Sequence, residues 1–155
     1  MIFCSHKDFL MNLNIALLGF GNVNRALARL ILRKTDALLA DHDLTLTVVG
    51  ISTNSHGRCI DPAGIDLQAA LDAYANSTLD DLHTGDPIAD SMAFVKAVPT
   101  TLLVESTWMD PQTGQPATDL VRAALERSIH VVTANKGPIA FAYRELRDLA
   151  REKGL

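Results

Sequence analysis

The sequence predicts an α/β fold, a doubly wound and mostly parallel sheet with helices on both faces, and three observations predict it. Short apolar runs at 15–18, 44–51, 101–107 and 130–134 alternate with longer stretches whose apolar residues recur at helical spacing. Two glycines, Gly19 and Gly21, stand directly between the first apolar run and the first helical stretch. Polar residues collect where the later runs end, as Ser52 and Thr53, Ser106 and Thr107, and Asn135 and Lys136. That is the edge of an open α/β sheet where ligands bind.

The first run, Ile15 to Leu18, suits a strand buried on both faces. Gly19 supplies the backbone angles of a tight strand-to-helix turn, and Gly21 has no side chain to hold a pyrophosphate off the backbone. A phosphate would then meet free amides at a helix N-terminus, where the helix dipole favours negative charge. The turn therefore points to a Rossmann-type, dinucleotide-binding domain over residues 13–155, with residues 1–12 expected to form a flexible N-terminal extension without function. Asn24 occupies the third position of the G-x-G-x-x-G pattern. It is expected to be accommodated by a small shift or by an outward-pointing amide.

From Asn22 to about Ala40 a helix is expected to bury Val23, Ala26, Leu27, Leu30, Ile31 and Leu38, with Arg25, Arg29 and Arg33 on its solvated side. Asp41 to Asp43 end it, and Leu44 to Ile51 form the second strand. After that strand come Ser52, Thr53, Asn54, Ser55, His56, Gly57 and Arg58, with no carboxylate among them. An acid at this place would accept the adenine-ribose hydroxyls of NAD, whereas an arginine suits the extra phosphate of NADP. Thr53 and Arg58 are therefore candidate cofactor residues, and NADP is preferred over NAD.

Residues 59–100 predict turns at Asp61–Gly64 and Asp86–Pro87 and helices over Leu67–Tyr74 and Ser91–Ala97, with no convincing ligand spacing. Thr101 to Thr107 reads as a further buried strand whose polar end sets Glu105, Ser106 and Thr107 near the nicotinamide. A turn at Asp110–Gly114, a helix from Ala117 to Arg127 and a strand from His130 to Ala134 follow. Asn135-Lys136-Gly137-Pro138 then opens the last helix, with proline at a helix-opening position. Lys136 is the sharpest single residue. An ammonium group at a strand's carboxyl end, beside the Asn135 amide, could hold a carbonyl or hydroxyl oxygen and stabilise charge on it during hydride transfer.

Composition limits the alternatives. The chain has 155 residues, 48% hydrophobic and 21% charged, with a formal charge of −4, which speaks against a broad nucleic-acid surface. Cys4 and Cys59 lie in no metal-ligand spacing, so no metal site is expected and both are read as reduced thiols. No run reaches the length of a membrane span, and no secretory leader is legible at the start, so a cytoplasmic location is expected.

With these residues in view, the chain resembles the N-terminal nucleotide-binding domain of homoserine dehydrogenase. The resemblance lies in Ile15 to Val23, in Val104-Glu-Ser-Thr with Asp110-Pro-Gln-Thr-Gly, and above all in Val131-Val-Thr-Ala-Asn-Lys-Gly-Pro-Ile-Ala followed by Tyr143-Arg-Glu-Leu-Arg-Asp-Leu-Ala. It implies an enzyme that interconverts aspartate 4-semialdehyde and homoserine with NADPH or NADH. It also implies that Gly19, Phe20, Gly21, Asn22 and Val23 bind pyrophosphate, that Thr107 lies by the nicotinamide and that Lys136 is an active-site residue. Family members continue into a substrate and dimerisation domain. A chain ending at Leu155 is thus expected to bind cofactor without turnover, and the intact enzyme to be a homodimer. Another NAD(P)-dependent amino-acid-type dehydrogenase and a non-catalytic dinucleotide sensor stand as alternatives.

Overall fold

The structure is a computed structural model that describes residues 10–155. The expected extension lies, through residue 9, outside the described residues, as does Cys4. Strand β1 spans Met11–Leu18, so Met11 and Asn12 belong to the sheet rather than to the expected extension. In chain order follow α1 (Asn22–His42), β2 (Leu44–Ser52), β3 (Arg58–Ile60), α2 (Leu67–Ala75), a 3-10 turn (Leu79–Leu82), α3 (Ser91–Ala97), β4 (Leu102–Glu105), α4 (Ala117–Glu126), β5 (His130–Thr133) and α5 (Gly137–Glu152).

The five strands are ordered β3-β2-β1-β4-β5. β1 pairs in parallel with β2 and β4, and β4 with β5, while β3 runs antiparallel to β2. The sheet is doubly wound and mostly parallel, with its order reversing between β1 and β4. At such a reversal neighbouring crossovers leave to opposite faces and open a crevice above the strand ends.

Successive side chains of a strand point to opposite faces, and β1 separates the two cores on that basis. Ile15 and Leu17 pack with Ala28 and Ile31 of α1 and Ala70 and Leu71 of α2. Ala16 and Leu18 pack with Phe94 and Val95 of α3 and Leu120 and Ala124 of α4. A smaller cluster of Val121, Leu125 and Leu146 joins α5 to α4. The same two helices are linked on the outside by Arg122, which bonds Glu145 at 2.5 Å and pairs with Asp119.

One expected helix face is only partly met: Ile31 is buried and Leu27 packs against the core. On α1 the buried residues are Asn24, Ala28 and Ile31, whereas Val23 and Leu30 are exposed. The position that follows the glycine turn by three residues must face the strands for the turn to close, and it sets the phase of the whole helix. The apolar count takes in Val23 and Leu30, which lie one residue before the buried Asn24 and Ile31. Strand β3 was also missed, because three residues show too little alternation to be read as a strand.

Candidate functional site

A cavity of about 460 Å³ opens above the carboxyl ends of β1, β2 and β4. Gly19, Phe20 and Gly21 form one wall, Thr53 to His56 a second, and Ser106 to Trp108 a third. A pocket of this size at the reversal of strand order suits a small ligand or part of a larger one.

The glycine turn is fixed tightly. Gly19 has φ +81°, and a Cβ there would lie 2.7 Å from the backbone carbon of Ser106. The left-handed angle and the close approach of β4 both require glycine. Gly21 differs, because a Cβ built on it meets nothing within 4 Å. That empty space lies at the N-cap of α1, where unpaired amides and the helix dipole attract an anion. Asn22 and Val23 form the first turn of that helix. They are outside the residues that line the cavity.

Asn24 does not point outward. It is fully buried, and its Nδ2 donates to the carbonyls of Gly19 at 2.6 Å, Val104 at 3.1 Å and Leu18 at 3.3 Å. The amide thus joins β1, the turn and β4 at the point where a third glycine would let them touch.

At the other wall, Thr53 Oγ1 donates to Gly57 O at 3.0 Å and accepts from the His56 amide at 2.7 Å, which closes the loop after β2. The His56 ring stacks on Tyr74 with centroids 4.2 Å apart, and the Arg25 guanidinium lies 4.4 Å from the Tyr74 centroid. Arg25 is therefore held against α2 rather than left on a solvated stripe. Arg58 sits on β3 opposite Ser52, and its backbone amide donates to Asp80 Oδ1 at 2.8 Å. Its side chain is not among those lining the cavity, and its Nε is buried without a hydrogen-bond partner among the described residues.

The third wall is organised by a residue that sequence reasoning placed nearby without a role. Glu105 is fully buried, and its carboxylate accepts from the Thr107 amide at 2.7 Å, Thr107 Oγ1 at 2.6 Å, Thr133 Oγ1 at 2.5 Å and Asn135 Nδ2 at 2.6 Å. Asn135 Nδ2 also donates to Thr107 O at 2.7 Å. The ends of β4 and β5 are thereby bound into one unit containing Thr107 and Asn135. A lone acid inside an apolar strand was the available signal, since such a group persists only where donors satisfy it.

Lys136 is exposed and caps α5 immediately after this unit. Neither Lys136 nor Asn135 lines the cavity. The segment is held from below by two glycines in contact: a Cβ on Gly137 would lie 2.9 Å from Gly114 Cα, and one on Gly114 would lie 2.7 Å from the Phe141 ring. The Asp110–Gly114 turn therefore seats directly on the start of α5. Two stretches that carry the sequence resemblance are in physical contact.

Cys59 is buried on β3, and burial pushes its thiol up to about 12. Such a thiol is inert at neutral pH. Among the described residues no group of three or more His, Cys, Asp or Glu is placed to hold a metal ion. No helix among them is long and apolar enough to cross a membrane.

Comparison with known proteins bears on this geometry directly. Residues 19–155 match the family model described as homoserine dehydrogenase, NAD binding domain. The NAD(+)-dependent homoserine dehydrogenase of Pseudomonas canavaninivorans is 38% identical over 138 residues, covering 88% of this chain and 39% of that protein. A homoserine dehydrogenase of Methanocaldococcus jannaschii is 31% identical, with 92% and 42% covered. Among solved structures, a hyperthermophilic archaeal homoserine dehydrogenase in complex with NADPH superposes with a TM-score of 0.75 at 31% identity, over 93% of this chain and 42% of that one. The chain thus spans about two fifths of the length of these relatives. The matched residues run from the glycine turn through α5, and the chain belongs to the homoserine dehydrogenase family as its NAD-binding domain.

Proposed function

We propose that this chain binds the cofactor for an oxidoreductase that interconverts L-aspartate 4-semialdehyde and L-homoserine, and that by itself it binds without turnover. The observation that carries the reading is the convergence of an open phosphate site at Gly21 with Thr107, held by Glu105, across one crevice. Both ends of an extended dinucleotide are then served. Phe20 to Val23 would take the pyrophosphate on backbone amides, with Gly21 leaving room for it, while Gly19, whose own N–H donates to Ser52 O at 2.8 Å, shapes the turn. Ser106 and Thr107 would border the nicotinamide, which supplies or accepts the hydride. Asn135 donates to Thr107 O and to Glu105, which fixes the residue before Lys136 relative to Thr107.

Lys136 is the residue proposed for chemistry. Its ammonium group would orient the reacting carbonyl or hydroxyl oxygen and stabilise negative charge on it. Exposure at the start of α5 leaves it free to meet a substrate held by further chain. The intact enzyme would be a cytoplasmic homodimer, with no nucleic-acid or membrane partner.

NADP is the preferred cofactor in this reading. The relative from Pseudomonas is named for NAD(+), and the archaeal structure holds NADPH, so the choice rests on local chemistry. The loop Ser52–Gly57 lacks a carboxylate to accept ribose hydroxyls. Arg58 follows it with an unpartnered Nε, and His56 lines the cavity. An Arg58→Glu variant would lose the preference for NADPH over NADH in a binding titration. Full-length enzyme extended from this chain would oxidise homoserine. A well-folded full-length product without that activity, at any cofactor concentration, would overturn the substrate assignment.

A further inference from the structure

We infer that Asn24, which stands where the dinucleotide fingerprint has its third glycine, is a positioning residue that aims the phosphate loop; the inference rests on the dinucleotide reading of the cavity. Three backbone carbonyls converge on one end of its side-chain amide, from Leu18, Gly19 and Val104. Only the NH₂ end can serve them, so the orientation of the amide is fixed by its partners. The Oδ1 end is buried without a hydrogen-bond partner among the described residues. A residue that merely filled space would not need to leave a polar atom stranded, since alanine or glycine fits the same place at no such cost.

The consequence lies in the peptide between Gly19 and Phe20. Its carbonyl takes two donors, Asn24 Nδ2 at 2.6 Å and Ser106 Oγ at 3.1 Å. In a planar trans peptide the N–H points opposite to the C=O. Pinning the Gly19 carbonyl therefore turns the Phe20 N–H away from Asn24 and Ser106. That amide donates to no protein acceptor among the described residues, and Gly19, Phe20 and Gly21 all line the cavity. Asn24 thus holds the peptide in the orientation that offers the amide to a pyrophosphate before any ligand arrives. A glycine at this position brings strand and helix together but holds no carbonyl. This chain has exchanged that close packing for an explicit hydrogen-bond clamp, and Ser106 is its second jaw.

The test is a set of titrations of the 155-residue chain and its Asn24→Gly, Asn24→Asp and Ser106→Ala variants with NADPH and with 2′-AMP, which has no pyrophosphate. Asn24→Gly completes the glycine pattern. If Asn24 were only tolerated there, the variant would bind NADPH as well as the parent or better. The clamp instead gives a rise in Kd of about tenfold for NADPH and little change for 2′-AMP, because preorganisation of the loop is lost and the adenosine end is untouched. Asn24→Asp, which turns an acceptor on three carbonyls, weakens NADPH at least as much. Ser106→Ala removes one donor of two and raises Kd roughly threefold; it lies outside α1 and serves where an Asn24 variant fails to fold. Amide spectra of the parent chain add a signature, a large shift of the Phe20 cross-peak on NADPH addition. Equal NADPH affinity in parent, Asn24→Gly and Ser106→Ala overturns the clamp while leaving cofactor binding intact. A folded parent chain that binds neither NADPH nor NADH overturns the cofactor reading, and the clamp with it.

Discussion

Removing the carboxylate of Glu105 without filling its place is the perturbation with the most legible consequences. In Glu105→Ala four donors lose their acceptor: the Thr107 amide and hydroxyl, the Thr133 hydroxyl and the Asn135 side-chain amide. The two hydroxyls can rotate to other acceptors, but the Thr107 N–H is fixed by the backbone and the Asn135 amide is tied to Thr107 O. Stranding a buried N–H costs roughly 1–3 kcal/mol, and the vacated volume adds to that. Glu105→Ala is therefore expected to lower stability by about 3–4 kcal/mol. Glu105→Gln is a near-isosteric contrast. Its side-chain oxygen can keep the three bonds made by Oε1, and its NH₂ can donate to Thr133 Oγ1, so the loss falls to about 1 kcal/mol, the difference between charged and neutral acceptors. Urea denaturation followed by far-ultraviolet circular dichroism measures both; Trp108 is largely exposed and reports unfolding poorly. The same variants should separate in NADPH affinity, with Glu105→Ala at least tenfold weaker and Glu105→Gln within a fewfold of the parent. Equal stability and affinity for the two variants would refute the idea that this carboxylate holds the strand ends together.

Further outcomes follow from single residues. Gly19→Ala, with a left-handed angle and a Cβ 2.7 Å from the Ser106 backbone, should lose roughly 2–4 kcal/mol in a denaturant melt, and a loss below 0.5 would contradict the turn geometry. Cys59, pushed up to about 12 by burial, should react with a disulfide reagent at pH 8 hundreds of times more slowly than a free thiol in a Cys4→Ser background; reaction at the free-thiol rate would show that β3 opens readily. The pH dependence runs the same way. The folded chain holds that proton after the unfolded chain has lost it, so stability should fall as pH rises from about 9 towards 12, and Cys59→Ala should remove that slope.

The course of the chain was legible because its signals are local. Apolar runs such as Ile15–Leu18 and periodic stretches such as 117–127 record their burial in adjacent residues, and β1, β2, β4, β5 and the helices stand close to where they were expected. What was not legible depends on residues far apart in sequence. Glu105 stands out only as a lone acid in an apolar strand, and its partners appear when Thr133 and Asn135 are brought to it from the end of the next strand. Tyr74 enters the sequence reading only as the end of a helix, yet it serves as a platform between Arg25 and His56, contributed by two other segments. Asn24 misled for the opposite reason. A small shift or an outward-pointing amide was expected there, and only three convergent carbonyls from β1, the turn and β4 explain why the amide points inward and is buried. Local pattern gives the elements, whereas the site is made by side chains that meet across the sheet.

Gly21→Asp tests the central claim most directly, because it separates stability from binding. Gly21 is the N-cap of α1, and a side chain there meets nothing. Aspartate is among the favoured N-cap residues, so the variant should melt at or slightly above the parent temperature. The same carboxylate would occupy and repel the pyrophosphate position. Titration of parent and variant with NADPH and NADH, read by energy transfer from Trp108 at the cavity mouth, should show saturable binding in the parent and none in the variant. Undiminished binding by a stably folded Gly21→Asp chain would contradict the cofactor site described above.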